Sequence, residues 1–174
     1  MFTLKNNLKI AHFALLMSVL NFLFFHYAFF TFVFDHVDYN SLSGGLLVMS
    51  LMVLMLVLNA FVFYLICFLT GYFGKVLLLL FFNINAIAVY FINTFGVIID
   101  KTMIGNILNT NYAESSSFFS LKLLFYVLIL GVIPSIFIIK TSIVQVTWKK
   151  FAITSSLTLV FILVLILANA RNWL

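Results

Sequence analysis

The sequence predicts an all-α membrane protein with five transmembrane helices, the N-terminus inside and the C-terminus outside, and a short interfacial helix on the outer side between helices 3 and 4. Three observations predict it. The 174-residue chain is 66% hydrophobic and 7% charged, whereas water-soluble domains carry roughly 25% charged residues. Five apolar runs are each long enough to cross a hydrocarbon core, which takes about 20 helical residues. The charges between those runs segregate by sign. The same composition excludes a soluble globular domain and a disordered chain. The net charge of +5 comes from cations scattered singly, so it points to membrane topology and not to nucleic acid. Cys67 is the single cysteine, which excludes an intrachain disulfide and any cysteine-based metal site.

The first run covers 10–34. It is too long and too rich in Phe for a cleaved signal peptide, and no small-residue cleavage pattern precedes Asp35, so it reads as a retained span. The second covers 46–69 and ends at Gly71–Lys75. The third covers 76–93. The fourth, 121–139, contains Pro134, which removes a backbone donor and predicts a kink. The fifth covers 153–170, beyond the Lys140–Lys150 connection. With the N-terminus inside, that side receives Lys5, Lys9, Lys75, Lys140, Lys149 and Lys150. The outer side receives Lys101, Lys122 and Arg171 with all four acids, Asp35, Asp38, Asp100 and Glu114. Cations concentrate in short cytoplasmic loops, which selects this orientation. Trp173 suits an interfacial belt, and an ending so close behind the last span reads as a cut.

Polar residues within the spans are few. Asn21, Asn59, Asn83, Asn85 and Asn93 are expected to hydrogen-bond between helices, because an unpaired amide in hydrocarbon is costly. His12, His26 and His36 lack ligand-like spacing and read as packing or interfacial residues. Intramembrane charge and internal repeats are both missing, which disfavours a channel or carrier.

The longest connection runs from Thr94 to Ser120. Asp100 can cap a helix beginning at Lys101, and Ser115, Ser116 and Ser117 are expected to stop it and cap the next span. On a helical wheel Met103, Ile104, Ile107 and Leu108 form an apolar arc with the polar residues off it, as in a helix lying in the interface plane. Asn106, Thr110 and Glu114 are spaced four and four, which aligns them along one stripe. That stripe is either a solvated polar face or a grip for a zwitterionic headgroup. Asn and Thr can donate to phosphate oxygens, and Glu can pair with an ammonium.

The stretch from Asp100 to Glu114, continuing to Gly131-Val132-Ile133-Pro134, resembles the membrane domain of the lipid A phosphoethanolamine transferases, the family that includes transferable polymyxin-resistance enzymes. Two departures stand out: Asn111 occupies a position where Asp is common, and the three serines replace an Ala-rich continuation. The resemblance implies a five-span, N-terminal membrane domain over 1–174 in the bacterial inner membrane, with the segment at about 100–114 and the C-terminus in the periplasm. A periplasmic catalytic domain would follow, carrying a threonine nucleophile and zinc ligands. The implied lipid substrates are phosphatidylethanolamine and lipid A, and the implied substrate-binding residues are Asn106, Thr110 and Glu114. Catalytic residues and metal ligands are expected to be absent from this chain, so alone it should present lipid and catalyse nothing. The competing reading is a small non-enzymatic membrane protein, either a transporter subunit or a lipid-binding scaffold.

Overall fold

The computed structural model describes residues 7–95 and 120–171. Its elements in chain order are β1 (Asn7–Lys9), α1 (Ile10–Phe25), α2 (Tyr27–His36), α3 (Leu42–Thr70), α4 (Tyr72–Phe95), α5 (Leu121–Lys140), β2 (Ser142–Val144) and α6 (Trp148–Arg171). Helices α3, α4, α5 and α6 are each long and apolar enough to cross a membrane. Their outward faces suit lipid: on α6, Leu157, Val160, Val164 and Leu167 are all more than half exposed. In water such a face would drive association; in a bilayer it meets its own solvent.

The first predicted span is where expectation and structure part. The run 10–34 is not one helix: α1 and α2 meet at His26 and are bent by 65°. At 1.5 Å per residue the 16 residues of α1 reach about 24 Å, short of a hydrocarbon core of about 30 Å. Neither Pro nor Gly causes the break. His26 adopts φ −99°, ψ 4°, the sparsely populated bridge region, and its Nδ1 lies 3.2 Å from the carbonyl oxygen of Asn21. The imidazole thereby caps back onto the last turn of α1.

Helix starts also shift. Ser41 accepts a bond from the Gly44 amide at 3.1 Å, so α3 begins four residues before the expected 46. Gly71, at φ +57°, is the single residue between α3 and α4, a left-handed conformation that side chains disfavour. Helix α6 starts at Trp148 and takes in Lys149 and Lys150, which the sequence predicts to lie in the connection.

The chain forms two compact units, one of 1–75 with 140–174 and one of 76–139. In the first, α1 packs on α3 and α3 on α6. Phe13, Met17, Phe63 and Cys67 are buried among them. Phe68 and Phe151 stack at 3.8 Å, with Trp148 edge-on to both. A small exception to the all-α expectation fastens one end of this unit: β1 pairs in parallel with β2, Asn7 opposite Ser142 and Lys9 opposite Val144.

The second unit joins α4 to α5. Asn83 donates to the Ser135 hydroxyl at 2.9 Å and to the Leu79 carbonyl at 2.8 Å. Gly131 makes room for it, since a methyl there would lie 2.6 Å from the Asn83 amide oxygen and 3.3 Å from its Cα. The kink expected at Pro134 takes the form of a widened turn. Val127–Val132 is π-helical, and the Ile133 amide bonds back to Leu128. That turn accommodates a ring that would otherwise clash with the preceding turn.

Candidate functional site

Asn106, Thr110 and Glu114, with the whole interfacial helix expected at 100–114, lie outside the described residues. What the structure describes is the pair of helix ends from which that connection departs. Tyr90, near the end of α4, is 1% exposed. Its hydroxyl lies 2.7 Å from Ser120 Oγ, and its ring meets Tyr126 edge-on at 5.7 Å. Asn93 donates to the Tyr126 hydroxyl at 3.4 Å. The end of α4 and the start of α5 are therefore tied side by side.

Ser120 does a second job. Its Oγ accepts from the Leu123 amide at 3.2 Å, so it is the N-cap of α5. That corrects the expectation that Ser115–Ser117 would supply the cap. Sequence reasoning missed Tyr90, Ser120 and Tyr126 because aromatic and hydroxyl residues within an apolar run look like packing. The available signal was a Tyr and a Ser flanking the longest polar connection.

Asn21, Asn59, Asn83 and Asn93 hydrogen-bond between helices as expected. Asn59 of α3 uses both amide donors and its carbonyl oxygen. Its Nδ2 donates to the Met55 carbonyl at 2.8 Å and to His26 Nε2 at 3.3 Å, and its Oδ1 accepts from Asn21 Nδ2 at 2.9 Å. A neutral His26 with the proton on Nδ1 satisfies both of its contacts. Ser18 adds a bond to the Leu56 carbonyl at 2.6 Å. This network joins α1, the bend and α3, and it has the complementarity of an architectural device. Further along α3, Ser50 and Asn169 bond to each other, tying α3 to α6. His36 packs on the Phe32 ring at 4.1 Å, the packing alternative of the expected role.

Among the described residues no three His, Cys, Asp or Glu side chains gather where they could hold a metal ion. The zinc that the resemblance implies has no site among them.

Apolar helices of spanning length, with asparagines hydrogen-bonded between them, define an integral, multi-pass membrane module. Its family follows from comparison with known proteins. Residues 54–173 match the family model described as phosphoethanolamine transferase EptA/EptB, and the chain belongs to that family. It is 40% identical over 92 residues to phosphoethanolamine transferase EptA of Helicobacter pylori, covering 52% of this chain and 18% of that protein. It is 31% identical over 126 residues to phosphatidylethanolamine transferase Mcr-2 of Escherichia coli, covering 72% of this chain and 22% of that protein. The fold matches the integral membrane lipooligosaccharide phosphoethanolamine transferase A of Neisseria meningitidis with a TM-score of 0.81 and 23% identity, over 97% of this chain and 32% of the other. The chain thus spans about a fifth of the curated relatives and about a third of the solved one.

Proposed function

We propose that this chain is the membrane-anchoring and lipid-presenting module of an enzyme that moves phosphoethanolamine from phosphatidylethanolamine to lipid A. The observation that carries this reading is the family match over 54–173, because it includes the segment bearing Asn106, Thr110 and Glu114. The bond of Tyr90 to Ser120 is compatible with it, since it holds together the two helices that flank that segment in the sequence.

In this reading the stripe holds the donor headgroup. Asn106 and Thr110 donate to phosphate oxygens and Glu114 accepts from the ammonium. A catalytic domain downstream, with the threonine nucleophile and the zinc implied by resemblance, breaks the bond between phosphorus and the glycerol oxygen. Diacylglycerol leaves, and the phosphoethanolamine passes from the threonine to a lipid A phosphate. The membrane module orients and retains the donor, which is where proximity contributes to rate.

The proposed location is the bacterial inner membrane, with the C-terminus in the periplasm. Supporting that orientation, the β1–β2 pairing and the bond from Lys75 Nζ to the Thr141 carbonyl gather Lys9, Lys75, Lys140, Lys149 and Lys150 at one end of the first unit. Asp35 and Asp38 precede the far end of α3. Lysine-rich ends face the cytoplasm.

Joined at Leu174 to the soluble portion of the Mcr-2 relative, the chain is expected to support transfer of phosphoethanolamine to lipid A, read by mass spectrometry of extracted lipid A. The soluble portion alone should transfer at least tenfold less. A chimera that inserts with its soluble portion in the periplasm, yet transfers no better than that portion alone, would count against the reading.

A further inference from the structure

The end of the first unit that carries β1 and β2 is basic and has an apolar trough beside it. Lys9 closes β1, Lys140 precedes β2, and Lys149 and Lys150 open α6; all four are exposed. Lys75 is committed to the Thr141 carbonyl. The carboxylates among the described residues, Asp35 and Asp38, lie before the start of α3, while Gln145 of the basic end bonds the Cys67 carbonyl near its other end at 3.1 Å. The 29 residues of α3 put about 40 Å between the two charge types.

The trough, about 250 Å³, lies between α1, α3 and α6, and Ala11, Ala14, Ala60, Tyr64, Thr154 and Thr158 are among its lining residues. Lys150, Thr154 and Thr158 follow at intervals of four, so they share one stripe of α6, with Lys150 one turn beyond the trough wall. On the facing side the wall begins at Ala11, two residues past Lys9. From Lys150 to Thr158 the stripe runs about 12 Å. Trp148, 70% exposed, stands at the same level, where an indole suits the membrane–water boundary.

A cationic rim over an apolar trough complements a lipid with a net negative headgroup: the phosphate meets the lysines and one acyl chain lies along the alanines. A zwitterionic lipid fills the trough but offers the rim no net charge. A second copy of this chain would set lysines against lysines. We infer that this face is a binding site for one anionic phospholipid of the phosphatidylglycerol type, in the leaflet that the basic end faces.

The test uses the full chain reconstituted in phosphatidylcholine bilayers, with spin-labelled phosphatidylglycerol or spin-labelled phosphatidylcholine as the probe. The motionally restricted fraction is read by electron spin resonance. Phosphatidylglycerol should be retained at least fivefold over phosphatidylcholine, since each lysine near the surface contributes roughly a fivefold preference. The preference should fall in high salt. K150E should lower it roughly fivefold, whereas K122E, at the other end of α5 from Lys140, should leave it unchanged. A60F, which fills the trough, should reduce retention of phosphatidylglycerol while leaving the lysines in place. K149Q/K150Q provides a milder pair, with helix content by circular dichroism as the folding control.

Equal retention of the two labels by the parent chain would overturn the proposal. So would a preference that survives both lysine variants, or an equal loss in K150E and K122E, which would mark diffuse attraction to the surface. A60F without effect would remove the trough from the site, and probe release caused by self-association would assign the face to a second copy instead.

Discussion

Replacing Glu114 by Ala, in the chimera that restores a catalytic domain, is expected to reduce transfer from phosphatidylethanolamine about tenfold to a hundredfold, with the amount of protein in the membrane unchanged. The size follows from the contact proposed for Glu114. A hydrogen bond to a charged partner contributes roughly 1.5–3 kcal/mol, and each 1.4 kcal/mol is about a tenfold change in rate or binding. Ala keeps helix propensity, so the loss should not come from the segment's structure. Glu114→Gln sharpens the test: it preserves shape and one acceptor but lacks the charge that pairs with the ammonium, and its loss should lie between parent and Ala. Transfer by Glu114→Ala at the parental level would withdraw the headgroup assignment from this residue.

Asn59→Leu should destabilise the fold by about 2–3 kcal/mol, its two bonds to Asn21 and His26 each contributing roughly 0.6–1.7 kcal/mol in membranes. The substitution strands two groups at once. Asn21, 2% exposed, loses the acceptor of its Nδ2, and its Oδ1 already has no protein partner among the described residues. His26 loses the donor to Nε2 at the point where α1 and α2 bend. Unfolding in mixed micelles, titrated with a denaturing detergent, gives the comparison. Asn93→Leu is the contrast, because it removes one bond of 3.4 Å from an exposed side chain and should cost under about 1 kcal/mol. Equal destabilisation by the two variants would mean that the network at the bend contributes little.

Lipid makes spans easy to read. A helix in hydrocarbon must be apolar on all sides for about 20 residues, so the runs at 46–69, 76–93, 121–139 and 153–170 each fall within an observed helix to within a few residues. The interhelical use of Asn59 and Asn83 followed from the cost of an unpaired amide. The bend at His26 was illegible for the same reason the spans were clear. Residues 10–34 form a continuous apolar run without Pro or Gly, and the break depends on a ring reaching back to the Asn21 carbonyl and on Asn59, 33 residues away, meeting its other nitrogen. Pairing of Asn7–Lys9 with Ser142–Val144 was likewise hidden, since three residues give no strand pattern and the partner is distant in sequence. At the site, four-residue spacing together with family resemblance pointed to Asn106, Thr110 and Glu114. The Tyr90–Ser120 bond emerged only from the packing of α4 against α5.

The central claim is that the Glu114 carboxylate meets the ammonium of the donor lipid. A carbodiimide, which couples a carboxylate to an amine only when the two are in contact, tests it on the full chain in vesicles containing phosphatidylethanolamine. Peptide mass mapping should find the lipid amide on Glu114, absent from Asp35, Asp38 and Asp100 and absent when phosphatidylcholine replaces phosphatidylethanolamine. An adduct spread evenly over the four acids, or none on Glu114, would contradict the account.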